Sequence, residues 1–311
     1  MTVRIVASCT ERKRASVRQD LRLRAFSEPD LAARAQQWLA ALEGSPALAK
    51  PARELYGGEH WKLVLEIEDQ IRAHGDIDLY VASAGYGLVS ADSALKPYSA
   101  TFATGQPDSV TRRSTDDPRD WWDTLCSSGP APTSLQQLAT RAESLVVIAS
   151  AKYLRAMLPD VLRARDALTS DRLIVFSGSD LPQLGPSLIR VDDRVQVALK
   201  KDPTSDQVRG TKQGLAARTA KHLLNGARDW PPRASELAQA YSELVTGVER
   251  PPPLNRTRHE DEPILTFIRN ALDENPRAGW TRLLKAWRAS GQACEQKRFR
   301  RLHAAVREQR S

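Results

Sequence analysis

Four short, almost uninterrupted apolar runs constrain this chain more than any other feature: VRIVAS at residues 3–8, IDLYVAS at 77–83, LVVIAS at 145–150 and RLIVFSG at 172–178. A strand that is apolar on both faces must be covered on both sides. Segments of helical period lie between the runs. Residues 30–44 and 61–75 each close on a glycine, residues 134–144 start at a capping Ser134 or Thr133, and residues 151–168 carry an interruption at Pro159. This alternation predicts an α/β fold, a largely parallel sheet flanked by helices. Beyond residue 178 the pattern weakens. Residues 187–199 read as additional strand, and residues 211–224 and 234–247 as helices.

The chain has 311 residues, room for one large domain or two ordinary ones. Residues 249–262 hold three consecutive prolines among mixed charges and read as a linker. That gives an α/β domain over 1–248 and an all-α basic module over 263–311. Net charge is +8, and residues 263–311 alone hold 11 Lys/Arg against 4 Asp/Glu. Such asymmetry favours a polyanionic partner, nucleic acid before an acidic membrane surface and DNA before RNA. No apolar run reaches the roughly 18 residues of a spanning helix, so no membrane is expected. The first residues lack the apolar core of a signal peptide, and a cytoplasmic location is expected. Three separated cysteines and five scattered histidines suggest neither a disulfide framework nor a metal site. No dinucleotide or P-loop glycine pattern is present, and no cofactor is expected.

In the basic module a helix should stop at Asn275-Pro276, a second should bury Leu283, Leu284 and Trp287 with Trp280, and a third should bury Phe299 and Leu302. Short helix, glycine-containing turn and basic helix make a helix-turn-helix pattern. The module also resembles small helical RNA-binding subunits of CRISPR complexes, on its "RF" followed by basic residues. Lys297, Arg298, Arg300 and Arg301 are the expected nucleic-acid contacts, with Lys212 and Arg218 at the start of the 211–224 helix. The alternative is a solvated helical face used for protein contact.

In parallel sheets ligands bind beyond the carboxyl ends of the strands. Here those ends offer Ser8, Cys9 and Thr10 followed by Arg12 and Lys13; Ser83, Gly85, Tyr86 and Gly87; Ser150, Lys152 and Tyr153; and Ser177, Gly178, Ser179 and Asp180. Small residues admit a ligand to the backbone, hydroxyls supply hydrogen bonds, and Arg12 and Lys13 suit a phosphate. Each also has an ordinary reading as a turn residue, and Cys9 as a small buried hydrophobe. The aperiodic stretch 103–133 reads as a functional or disordered loop, its Trp121-Trp122 pair as a core anchor or a wedge into DNA.

"SCTERKR", "ARELYGGEHW" and "SAGYGLVSADSALKPYSATF" together resemble a bacterial family of uncharacterised α/β domains. The first motif is similar to a segment of archaeosine synthases, which relate to tRNA-guanine transglycosylases and more distantly to uracil-DNA glycosylases. The resemblance spans roughly residues 1–180 and implies an anti-phage DNA glycosylase that cleaves the N-glycosidic bond of a modified base. That chemistry calls for a carboxylate to stabilise an oxocarbenium-like state. Asp92 is the expected group, with a turn or helix cap as its ordinary reading, and Tyr98 is the expected partner. Two other functions stay open: a non-catalytic nucleic-acid-binding regulator whose α/β domain senses a nucleotide, and a nucleoside- or nucleotide-processing enzyme.

Overall fold

The computed structural model describes residues 2–129, 133–201, 210–252 and 255–309. The chain forms two compact units, Met1–Arg250 and Pro251–Ser311.

In the first unit, β1 (Thr2–Ser8) leads through α1 (Leu31–Gly44), the short strand β2 (Lys50–Pro51), the single turn α2 (Ala52–Leu55) and α3 (Glu59–Ile71) to β3 (Asp76–Ser83). Then come β4 (Gly87–Ser90), β5 (Ala94–Leu95), α4 (Pro118–Ser128), α5 (Leu135–Ala139), β6 (Ser144–Ile148), α6 (Ala151–Ala167), β7 (Leu173–Ser177), β8 (Leu188–Arg190), α7 (Arg194–Lys201), α8 (Leu215–Asn225) and α9 (Ala234–Val245). Six strands form one sheet in the order β4-β3-β1-β6-β7-β8. All neighbours are parallel except β4, which runs against β3. The four apolar runs are the four central strands, and Val3, Ile5, Val6, Val146, Val147, Ile174 and Val175 are fully buried. Helices flank the sheet: α3 packs on α8, while α1, α4, α5 and α6 form a second packed group.

The order places the first strand in the middle. From β1 the chain builds outward to β3 and β4, then returns to add β6, β7 and β8 on the other side. The reversal falls between β1 and β6, the switch point where open α/β sheets leave a crevice at their carboxyl edge.

Three local expectations change. Residues 187–199 divide into β8 and the helix α7. Pro159 does not interrupt its helix; α6 runs through it from Ala151 to Ala167, giving up one backbone bond. The described part of the stretch 103–133 is anchored. Arg24 grips Asp108 through two hydrogen bonds from its guanidinium, the buried Arg34 donates to the Val110 carbonyl at 2.6 Å, and Arg112 donates to the Leu23 carbonyl at 2.6 Å. The stretch then enters α4, capped by Asp117 and opened by Pro118. Trp121 and Trp122 are fully buried there, so the pair is a core anchor and not a wedge.

The second unit comprises β9 (Thr257–Arg258), α10 (Asp261–Glu274), α11 (Trp280–Ala289), β10 (Gln292–Ala293) and α12 (Gln296–Glu308). Its core is Ile264, Ile268, Leu272, Leu283, Leu284, Trp287, Phe299, Leu302 and Val306. α10 stops at Asn275 as expected. The expected all-α module also carries a two-residue parallel ladder between β9 and β10, and β9 and the start of α10 lie inside the segment read as linker. Among the described residues no helix is long and apolar enough to cross a membrane.

Candidate functional site

The carboxyl edge of β1 and β3 holds a buried network of hydroxyls and one thiol. Cys9 follows β1, and its Sγ lies 3.3 Å from the Tyr98 hydroxyl and 3.0 Å from the Tyr153 hydroxyl. The Tyr98 hydroxyl is also 2.7 Å from Ser83 Oγ and 3.1 Å from the Tyr56 hydroxyl. Tyr153 sits in the first turn of α6, directly after β6, so the Cys9–Tyr153 contact spans the β1/β6 switch point. Burial pushes the phenols of Tyr56, Tyr98 and Tyr153 well above their ordinary range, which keeps them neutral hydrogen-bonding groups.

The small residues of "SAGYG" serve this packing. Ser83 Oγ accepts from the Gly85 and Tyr86 amides and so closes the turn after β3. Trp38 donates to the Gly85 carbonyl at 2.7 Å, and Trp121 to the Ala84 carbonyl at 2.9 Å. A Cβ on Gly85 would stand 2.4 Å from the Tyr98 ring. The glycine therefore leaves room for Tyr98, where the sequence suggested space for a ligand. Gly87 has a φ of +71° and lies against the α4 backbone at Leu125 and Cys126, a position suited to glycine on both grounds. Tyr86 is buried, with its hydroxyl accepting from the Lys96 amide and donating to the Lys96 carbonyl.

Lys13 covers the network. Residues 12–14 run extended along the 55–57 segment, with Lys13 bridged to Tyr56. The side chain of Lys13 turns inward, with Nζ 4.2 Å from the Tyr98 ring centre and donating to the Thr10 carbonyl at 2.9 Å. Burial lowers its pKa, opposed by the negative charge that Cys9 and Glu11 can carry. Arg12 and Arg14 point outward and are exposed, their stems either side of Gly57. Lys152, exposed, neighbours Tyr153 in the first turn of α6. Behind β1, His60 meets the Ser8 carbonyl through Nε2 at 3.1 Å, while its buried Nδ1 has no partner. Burial lowers His60 to about 4, so it is neutral near pH 7.

The expected site residues separate into groups. Cys9, Lys13, Ser83 and Tyr98 come together, Tyr86 stacks edge-on against Tyr98, and Ser8 is buried apart from them with its carbonyl on His60. Thr10 is a turn residue that donates to the Gly57 carbonyl at 2.8 Å. Ser150 is exposed at the head of α6. Ser177 is buried two strands from β1 and bonded to Ser179. Asp92 lies on the exposed turn after β4, which runs away from the carboxyl edge; Arg53 Nε donates to it at 2.5 Å and Glu68 takes the rest of that guanidinium. The Arg53 contact lowers the Asp92 pKa. Arg218 is buried in an ion pair with Glu59, and Lys212 pairs with Asp193, so neither is free for a phosphate. Tyr153 belongs to the residues expected at the end of the third apolar run, whereas Tyr56 was missed because nothing local separates a buried tyrosine from an exposed one. Among the described residues no group of three or more His, Cys, Asp or Glu is placed to hold a metal ion.

In the second unit, Arg298 donates to Asp261 at 2.6 Å and Arg301 to the same carboxylate at 3.2 Å. Arg300 lies over the Trp280 ring, and Lys297 is exposed.

No family model, curated protein or solved structure matches the chain.

Proposed function

We propose that this protein acts on DNA as a glycosylase-like enzyme that severs the N-glycosidic bond of a modified base, with phage DNA as the first substrate to test. The observation that carries the reading is Lys13: an amine of lowered pKa, held over buried hydroxyls at the carboxyl edge of β1 and β3, with an exposed arginine on each side. Arginine suits phosphate recognition, while a partly buried lysine loses its proton readily enough to become a nucleophile. Arg12 and Arg14 would hold the phosphates that flank a flipped nucleotide. Lys13 Nζ would attack C1′ as the free amine. The base departs with the electron pair of the broken C1′–N bond and takes up the proton the amine sheds. The sugar ring then opens: O4′ keeps the C1′–O4′ pair and gains a proton from solvent, leaving a protonated imine between Lys13 and C1′. Water hydrolyses the imine and restores the amine. No carboxylate is needed at C1′ in this route, which accords with Asp92 being held by Arg53 on a surface turn.

A second reading, a nucleotide-sensing regulator, is favoured by the closure of the hydroxyl network: Tyr56, Ser83 and Tyr98 are fully buried and bonded to one another. One experiment separates the two. The protein is incubated with phage DNAs carrying ordinary or modified cytosines, and released bases are identified by mass spectrometry, with and without borohydride. Base release together with a borohydride-trapped protein–DNA adduct, both lost in Lys13→Met, supports the enzyme. Release without an adduct keeps the glycosylase and removes Lys13 as nucleophile. Absence of release with retained binding selects the sensor.

A further inference from the structure

The basic residues of α12 are the obvious polyanion contacts in the sequence, but two of them are occupied. Asp261, at the first position of α10, takes Arg298 through both Nε (2.6 Å) and an NH2 group (2.5 Å), and takes Arg301 at 3.2 Å. Arg300 is turned onto Trp280. Another set of cations is gathered elsewhere on the same unit. The segment entering β9, α11 and the start of α12 border an open hollow of about 360 Å³ lined by Arg256, Lys285, Arg288, Trp280 and Gln296 among others, with no carboxylate among its described lining residues. Lys285 and Arg288 are one turn apart on α11 and so share a face. Arg256 comes from the segment leading into β9. Arg288 is steadied by a hydrogen bond to the Cys294 carbonyl at 2.9 Å, and Lys285 is exposed.

We propose that this hollow is where the C-terminal unit grips the backbone of duplex DNA, and that Asp261 holds Arg298 and Arg301 out of that contact. Two cations on α11 and one on the segment entering β9, with no acid among the residues lining the hollow, complement a row of phosphates. The Asp261 carboxylate on Arg298 and Arg301 competes with phosphate for the same guanidinium donors. The inference concerns binding alone and stands whether or not bases are excised.

The test is binding of the full-length protein to a 20-base-pair duplex by fluorescence anisotropy, at salt concentrations from about 50 to 200 mM. Each lost phosphate contact reduces the slope of log K against log salt by about 0.9. The triple variant Arg256→Ala, Lys285→Ala, Arg288→Ala is expected to flatten the slope by about 2 to 3. Arg298→Ala with Arg301→Ala is expected to change it by less than about 0.5. Asp261→Asn releases two guanidinium groups and is expected to steepen it by up to about 1.8. Circular dichroism checks each fold; should the triple variant unfold, Lys285→Glu alone, at an exposed position, is expected to flatten the slope. The proposal is overturned if the Arg298/Arg301 variant flattens the slope while the triple variant does not. It is equally overturned if the native protein shows no salt-dependent binding to the duplex.

Discussion

Two basic runs, Glu11-Arg12-Lys13-Arg14 and Lys297-Arg298-Phe299-Arg300-Arg301, look alike on paper and are used in opposite ways. The first is extended. Successive side chains point to opposite sides, so Arg12 and Arg14 face water while Lys13 turns inward onto Tyr98. The second is helical. Arg298 and Arg301 are three residues apart, share a face toward α10 and meet Asp261, whereas Arg300 is rotated onto Trp280. In the first run the inward cation loses solvation, and burial lowers its pKa. In the second, two of the four charges are paired with a carboxylate and a third is laid over an aromatic ring. A run of charge therefore says little until its backbone period and the residue facing it are known.

The comparison can be broken most severely at the floor beneath Lys13. Gly85→Ala places a methyl group against the buried Tyr98 ring and is expected to destabilise the first unit by about 2–3 kcal/mol, measured by urea unfolding. Trp280→Ala, at the rim of the open hollow, is expected to cost less than about 1 kcal/mol; equal costs would mean the hollow is as tightly packed as the floor. His60 offers a comparable effect through pH. Its folded pKa of about 4 lies below the ordinary 6.5, so between those values the unfolded chain binds more protons. Stability should then rise with pH across that window and fall on acidification, by at most about 3.4 kcal/mol. His60→Gln should flatten that limb of the pH–stability curve, and an unchanged limb would assign it to other groups.

Tyr98→Phe sharpens the comparison by removing the hydroxyl that links Cys9, Ser83 and Tyr56. A loss of about 1–2 kcal/mol is expected, with base release, if present, reduced through the position of Lys13. The smallest effect is expected at Asp92. Asp92→Asn weakens an exposed ion pair with Arg53 and should cost no more than about 1 kcal/mol. Base release by this variant should match the native protein, and its loss would return Asp92 to the reacting centre.

The four apolar runs were enough to identify the central strands, because a strand buried on both faces leaves an unambiguous trace in composition. The core of the second unit was legible for a similar reason: Leu283, Leu284, Trp287, Phe299 and Leu302 fall at helical spacing, and all are buried. β4 was not legible, since a four-residue strand that depends on the turn at Gly87 has too few side chains to show a period. α4 left the helical spacing of Trp121, Trp122 and Leu125, but a long irregular approach obscured it.

Within the candidate site the sequence by itself determined which residue types reach the carboxyl edge, because the ends of β1 and β3 follow directly from the strands. Only the tertiary structure decided which of them meet. Tyr56, Tyr98 and Tyr153 converge on Cys9 from separate loops and a helix, at sequence separations of 42 to 144 in the hydrogen bonds they share. Asp92, nine residues beyond the end of β3 at Ser83, is carried away because β4 reverses direction. Glu59 and Asp261 likewise remove Arg218 and Arg298 from the surface charge. Local pattern fixes secondary structure because it follows backbone geometry over a few residues; ion pairing and burial depend on neighbours that only the folded chain brings near.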